Sequence, residues 1–515
     1  MIDAGHRYRW ATLAVIAVWA LVAARLSYAN PTIGLTDVFG FIPRAESLSL
    51  SDASAWVDGL YPLGYPLLLR AVAAVVTDYE LAGRIIALLA GILGLFMVAR
   101  IARTLFEARV ALLAVLFCAT NPSYLRFATT SGTDLAAVAV LLVAMAYAVS
   151  YALTRSRDQL VVAGFALGVA YLFRYTALIM VPPILFWIMA VEGRPVSGRR
   201  VADGAILLGA FVLAALPQLV MSTVVEGQPL YNLQARNVYF GMHGGGNWGQ
   251  NMPAARSITS LGRIVAGEPT VFVRHWYETV TGAFRLDLVH YPLGLLAFAA
   301  ALLSLRTTVV RKASLLIVLC MVAFLATLSM AFINARLLLF LAPLLAIYAA
   351  FGCFRLIPSR LPLAFAESLP FRTVVVVSLC LWLAWYHVRP MWLQPISAHD
   401  LGRIAVSQTL ASEPSAPGPH EVLAWSFDYY DMTRPTKDRY AIDWYADEFP
   451  PYGTVADIAG RMRARGQRYL VYDEGASKRV RGLAEIWPLD GEELLAHFEP
   501  VTTSAEDVWI LRLRE

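Results

Sequence analysis

Charge is scarce along this chain and cysteine scarcer. Asp, Glu, Lys and Arg together make up 15% of the 515 residues, against 58% hydrophobic side chains. A water-soluble protein of that composition has too little polar surface to cover itself, so an apolar solvent must supply the rest. The four cysteines, Cys118, Cys320, Cys353 and Cys380, all fall in apolar segments, where a free thiol acts as a small buried hydrophobe. Their number and placement indicate neither a disulfide framework nor a Cys-based metal site. The basic excess is small, 42 Lys and Arg against 37 Asp and Glu, and it is scattered over connections, so nucleic-acid binding has little support. No internal repeat of fixed period is evident.

What is present is alternation. Apolar runs long enough for a hydrocarbon core of roughly 30 Å recur from Trp10 to Val388, broken by short Arg-bearing connections. Spans laid at 10–26, 81–99, 109–119, 134–153, 159–173, 176–191, 202–224, 287–305, 313–331, 336–354 and 372–388 make about eleven crossings. Arg7 and Arg9, then Arg100, Arg103 and Arg109, Arg155 and Arg157, Arg194, Arg199 and Arg200, Arg306, Arg311 and Lys312, and finally Arg355, Arg360 and Arg372 fall on one side. The positive-inside rule makes that side the cytoplasm and puts the N-terminus there. Ser27-Tyr28-Ala29 resembles a signal-peptide cleavage site, but an uncleaved first helix keeps every later basic loop inside and is the simpler expectation.

Three segments escape the apolar pattern, and all three lie outside by this topology. The first, 27–80, holds Asp37, Arg44, Glu46, Asp52 and Asp58 and the aromatic-proline stretch Tyr61-Pro62-Leu63-Gly64-Tyr65-Pro66. Its apolar piece 67–76 is too short to span and suits a helix lying at the interface. The second, 225–285, contains His243-Gly244-Gly245-Gly246-Asn247-Trp248. The third, 390–515, turns abruptly polar and has a Pro/Ser/Gly-rich break at 412–420, the pattern of a soluble domain. Strands are expected at 422–425, 469–472 and 508–513 and an amphipathic helix at 455–465, an α/β layer. It has no Gly-rich phosphate loop, CxxC or HExxH, so it carries no sequence warrant for a nucleotide or zinc site. Covering the site or choosing the acceptor is its expected job.

The order of parts resembles the GT-C membrane glycosyltransferases, especially bacterial relatives of the protein O-mannosyltransferases and of the aminoarabinose transferase that modifies lipid A. The resemblance rests on Thr36-Asp37, the stretch Tyr61 to Leu69, Ala82-Gly83-Arg84, Asn121-Pro122 followed by Ser131-Gly132-Thr133-Asp134, Phe173-Arg174-Tyr175, and Ala335-Arg336-Leu337. It implies an all-α polytopic membrane domain over 1–389 with a C-terminal soluble α/β domain, in a bacterial inner membrane. It also implies a polyprenyl-phosphate-linked sugar as donor, an extracytoplasmic lipid, glycan or protein as acceptor, and inversion at the anomeric carbon. No nucleotide cofactor is expected; a divalent metal is left open.

Such a reaction needs a carboxylate to take the acceptor's proton and cations to hold the departing phosphate. Asp37 matches the family's catalytic acid by position, although Val38 stands where many relatives have a second acid; a loop acid or helix cap is the plain alternative. Asp134 is the second candidate acid, and Ser131 to Asp134 equally fits a helix cap. Arg84, Arg174 and Arg336, at outer ends of spans, are candidates for the donor phosphate, with snorkelling as the alternative. Arg44, Tyr61, His243, Asn247 and Trp248 are candidates for substrate contact, and Glu46 with His243 is a weak metal pair. A transporter or flippase is the rival class, disfavoured because ionisable groups gather at one face and leave the midplane nearly uncharged. A non-catalytic scaffold on the same fold is the third.

Overall fold

In a bilayer a backbone amide finds no partner but its own chain, so the apolar runs must fold as helices. The computed structural model describes residues 4–29, 38–49, 56–191, 197–244, 255, 257–258, 260–283, 291–307, 310–357, 371–393, 405–406, 408–410, 412–413, 421–424, 443–444, 454–473, 492–501 and 508–514. Its membrane part runs α1 (Ala4–Ala29), α2 (Val38–Ser47), α3 (Gly64–Val76), α4 (Tyr79–Leu105), α5 (Ala108–Ala119), α6 (Pro122–Thr129), α7 (Thr133–Thr154) and α8 (Arg157–Phe173). A 3₁₀ turn (Tyr175–Met180) leads into α9 (Val181–Ala190) and α10 (Gly198–Glu226). Then come α11 (Gln234–Gly244), α12 (Leu261–Gly267), α13 (Pro269–Ala283), α14 (Tyr291–Arg306), α15 (Arg311–Leu328), α16 (Leu341–Arg355) and α17 (Phe371–Leu383), which continues through a π turn to Leu393.

The chain is a multi-pass membrane protein. Among the described residues six helices are long and apolar enough to cross a bilayer, and the bent pair α5–α6 makes up to seven. This departs from the expected eleven, and the reason is local. Each expected span contains a helix where described, but several are short or broken, and the stretch 329–340 at the junction of two of them is not helical. Asn121 accepts the Tyr124 N–H and Pro122 opens α6, so the chain bends by 65° between α5 and α6. Arg174 takes extended backbone (φ −148°, ψ 131°) and interrupts the run from Arg157 to Ala190. Broken helices of this kind persist at membrane depth where protein lines them. As expected, 67–76 lies within a helix too short to span, α3.

The bundle is sewn by small residues. On α8, Gly164 and Gly168 face α10 so closely that a Cβ on Gly164 would come within 2.3 Å of Leu207 O, and one on Gly168 within 2.4 Å of Phe211 O. This Gly-x-x-x-Gly seam lets the two backbones touch, as membrane helices do without a hydrophobic drive between them. At the expected cytoplasmic end Asp203, buried on α10, locks that helix to both neighbours, accepting from Arg157 Nε on α8 and Tyr151 Oη on α7, both at 2.8 Å.

The polar tail folds around a five-stranded sheet of β1 (Val422–Ala424), β2 (Asp443–Trp444), β3 (Tyr469–Asp473), β4 (Phe498–Val501) and β5 (Val508–Leu513) in the order β2-β1-β3-β5-β4. β1 pairs parallel with β2 and β3, while β5 runs antiparallel to β3 and β4. Alternation along the strands sends Leu423, Leu470 and Leu511 to one face, where α18 (Val455–Ala464) and α19 (Glu492–His497) bring Ile458, Met462 and Leu494. Val422, Tyr469, Val471 and Ile510 turn to the other, against Val406 and Leu410. The expected strands and the expected helix are all found.

Candidate active site

The start of α7 is the anchor of the site. Ser131 and Gly132 precede it, and Gly132 donates its N–H to Tyr65 Oη at 2.9 Å, tying the aromatic-proline loop to this helix end. Tyr65 is fully buried, with Ser131 Oγ 3.5 Å away and the carboxylates of Glu80 and Asp134 near, and burial pushes its phenol upward. Asp134 sits in the first turn of α7, where a helix dipole favours negative charge. Its Oδ2 accepts from Arg336 Nε, and Gly132 at the N-cap has no side chain to cap with.

Asp134 faces two arginines. Arg174 Nη2 lies 2.7 Å from Oδ1, and Arg336 Nε donates to Oδ2 at 2.8 Å. Asp134 is 3% exposed, so the carboxylate of this triad is buried while both guanidiniums remain partly exposed. Arg174 also donates from Nε to Thr133 Oγ1 at 3.1 Å. Both cations stand on breaks: Arg174 on the extended residue between α8 and the 3₁₀ turn, Arg336 on the non-helical stretch between α15 and α16. One carboxylate against two guanidiniums leaves a formal excess of one positive charge, and a planar guanidinium can hold a phosphate through two hydrogen bonds.

The loop from Arg44 to Leu63 is braced beside this triad. Arg44 on α2 donates to Trp56 O (2.8 Å), Tyr61 O (2.6 Å) and Pro62 O (3.4 Å). Burial lowers its guanidinium from the ordinary value, against the opposing pull of Asp58. Asp58 turns the loop by accepting the Leu60 and Tyr61 N–H groups, and Tyr175 Oη donates to Asp58 O at 2.8 Å. Gln218, buried on α10, accepts the Leu63 N–H at 2.8 Å and donates to Ser222 Oγ at 3.0 Å.

Three residues singled out in the sequence, Asp134, Arg174 and Arg336, are therefore brought together from three distant segments. Arg84 is engaged elsewhere, with Nε 3.0 Å from Glu80 Oε1 and Nη1 donating to Ser27 O at 2.7 Å. Tyr61 packs its ring edge-on against Phe41 at 4.8 Å. His243 stands 3.4 Å from Glu268 Oε2 and beside the Tyr239 ring, while Glu46 lies exposed near Tyr79. Asp37, Asn247 and Trp248 lie outside the described residues. Among the described residues no group of three or more His, Cys, Asp or Glu side chains is placed to hold a metal, and both Asp134 oxygens face guanidiniums.

Sequence reasoning passed over Gln218 and Glu80, and read Tyr65 only as part of the aromatic-proline stretch. A lone glutamine in an apolar helix is itself a signal, and so is a glutamate one turn before Arg84.

Residues 61–220 match the family model described as dolichyl-phosphate-mannose-protein mannosyltransferase. No curated protein sequence matches the chain. The structure is similar to the Archaeoglobus fulgidus oligosaccharyltransferase tethered with an acceptor peptide containing the NVT sequon, at 13% identity and a TM-score of 0.56 over 98% of this chain and 74% of that one. It is similar to AglB from the same organism in complex with an inhibitory peptide and a dolichol-phosphate, at 13% identity and 0.54 over 97% and 74%; that oligosaccharyltransferase is also known in a complex with Zn and sulfate. It is similar to ArnT from Cupriavidus metallidurans bound to undecaprenyl phosphate, at 13% identity and 0.57 over 97% of both chains. The chain has the GT-C fold of the membrane glycosyltransferases.

Proposed function

We propose that this protein is an inverting glycosyltransferase that moves a sugar from a polyprenyl-phosphate donor to an extracytoplasmic lipid, glycan or protein acceptor, in a bacterial inner membrane. The observation that carries this reading is the meeting of the buried Asp134 carboxylate with Arg174 and Arg336. A cation pair of this kind suits a phosphate head whose lipid tail stays in the bilayer. The neighbours known with dolichol-phosphate and undecaprenyl phosphate support that choice of ligand.

In this reading the acceptor oxygen attacks the anomeric carbon as the bond from that carbon to the phosphate oxygen breaks. Arg174 and Arg336 receive the charge developing on the leaving phosphate. Asp134 acts as the residue that holds the two guanidiniums together, and Asp37, just before α2, takes the acceptor's proton. Loss of a general base costs about 10²–10⁴-fold in rate. No nucleic acid takes part in this reading. We also propose that the basic connections face the cytoplasm, that 390–515 is an extracytoplasmic domain helping to choose the acceptor, and that 1–389 carries catalysis.

The test is transfer of labelled sugar from a panel of synthetic polyprenyl-phosphate sugars by purified full-length protein, wild type beside Asp37→Asn and Arg336→Ala at matched folding. Transfer by wild type that collapses in both variants supports the reading. Transfer that survives Asp37→Asn removes Asp37 as the base. Binding with no transfer across donors and acceptors overturns the enzyme in favour of a transporter or scaffold.

A further inference from the structure

We propose that His275 is a positioning residue for Arg336: from the second outer loop it fixes the segment that delivers this guanidinium to the donor phosphate. The inference rests on the glycosyltransferase reading above.

The carbonyls at the end of a helix lack intrahelical partners and must find others. α15 ends in a turn over 329–331, and two side chains of α13 reach into that end. Trp276 Nε1 donates to Ala326 O at 2.8 Å, and His275 Nε2 lies 2.5 Å from Ala331 O. A carbonyl can only accept, so Nε2 carries the proton in this contact. Thr279 Oγ1 stands 3.4 Å from the same nitrogen.

A second helix closes on the same atom. α11 presents Gly241, where a Cβ would come within 1.8 Å of Ala331 O and 2.8 Å of His275 Nε2. Only a residue without a side chain fits that approach. Val238, Ile264 and Phe272 pack with Met330 and Ala331 around it. α11 is in turn pinned at its start, since Leu233 N donates to Gly59 O at 2.8 Å and Gln234 Nε2 to Leu60 O at 3.0 Å. The grip on Ala331 thus comes from two helices, one of them anchored on the braced first loop.

Arg336 follows five residues later. Over 332–334 the backbone is open, with no helical ladder to set its path. Where Ala331 is held decides where that stretch begins, and so where Arg336 meets Asp134.

The experiment compares wild type, His275→Leu, His275→Gln and Gly241→Ala in the full chain. Three quantities are read: binding of undecaprenyl phosphate, the KM for donor against the KM for acceptor, and the melting temperature. Gln keeps an N–H donor near the Nε2 position. His275→Leu and Gly241→Ala should weaken undecaprenyl phosphate by about tenfold, the worth of a misaligned charge-assisted hydrogen bond, and raise donor KM with acceptor KM unmoved. His275→Gln should restore most of both. Variants that melt lower yet bind undecaprenyl phosphate and donor as wild type does reduce His275 to a structural cap and overturn the inference. Should His275→Leu fail to fold, Gly241→Ala and His275→Gln decide between these outcomes. Wild type that neither binds undecaprenyl phosphate nor transfers sugar overturns the functional reading, whereas a competent wild type beside equally competent variants overturns this inference alone.

Discussion

Arg336 and Asp134, 202 residues apart in the chain, meet with Nε 2.8 Å from Oδ2. The carboxylate that receives Arg336 also receives Arg174, so the pairs are one unit and their energies are not additive. Asp134→Asn should therefore do more than Arg174→Met or Arg336→Met alone, because it leaves two poorly hydrated cations facing each other. Removing one partner of a buried pair costs about 3–5 kcal/mol, and the partial exposure of both arginines, 18% and 21%, puts the expectation at the lower end. A double-mutant cycle by thermal unfolding in detergent measures it; a coupling near zero would mean that the triad is not a unit.

The Gly-x-x-x-Gly seam makes a separate prediction. Gly168→Ala places a methyl 2.4 Å from Phe211 O and 2.7 Å from Ala214 Cβ, and backbone cannot swing aside as a side chain would. The expected cost is about 1–3 kcal/mol, with Gly168→Leu lost at the folding stage. Gly209→Ala, on the same partner helix α10 but with open space around it, is the control and should be silent in the yield of folded protein.

Gln218 supports the first loop through a single buried acceptor. Gln218→Leu would leave the Leu63 N–H without the partner it has now, at a cost of about 1–3 kcal/mol. Faster proteolysis within 56–63 and a lower melting temperature are the expected readouts, and Gln218→Glu, which keeps an acceptor, should lie between.

The tail has its own pH dependence. Thr454 and Asp457 form a capping box at the start of α18, and the Thr454 N–H and hydroxyl bonds hold the Asp457 carboxyl below its ordinary value. A depressed carboxyl stabilises the fold above its unfolded pKa, and that contribution is lost as pH falls through the folded one. Stability of the sheet around β3 and β5 should thus decline on acidification, and Asp457→Asn should flatten that limb while lowering the plateau. Hydrogen exchange as pH is stepped from about 5 down to about 2, from above the ordinary carboxyl pKa to below it, reads this out at the strands.

Much of the fold could be read before the structure. The apolar runs, the strands Val422–Ala424, Tyr469–Asp473 and Val508–Leu513, and the helix at Val455–Ala464 all carry strong periodicity. Asp134, Arg174 and Arg336 stood out as charges at span ends, but their meeting is a matter of tertiary packing that hydropathy does not encode. The crossing count was less legible, because Asn121-Pro122 and Arg174 break runs that hydropathy averages over. Gln218 stands out as a lone glutamine, but its partners Leu63, Tyr175 and Ser222 do not. Arg44 works on backbone carbonyls, and a backbone partner leaves no mark in a sequence. His275 was hidden for the same reason.

On the proposed glycosyltransferase reading, Asp134 has a consequence for turnover. Any phosphate entering between Arg174 and Arg336 finds a resident anion already bound there by both, so it gains only the difference between two ion pairs. The same resident anion takes the arginines back when the lipid phosphate leaves. In that reading Asp134 caps product affinity, and a site that grips a leaving group is kept from being poisoned by it.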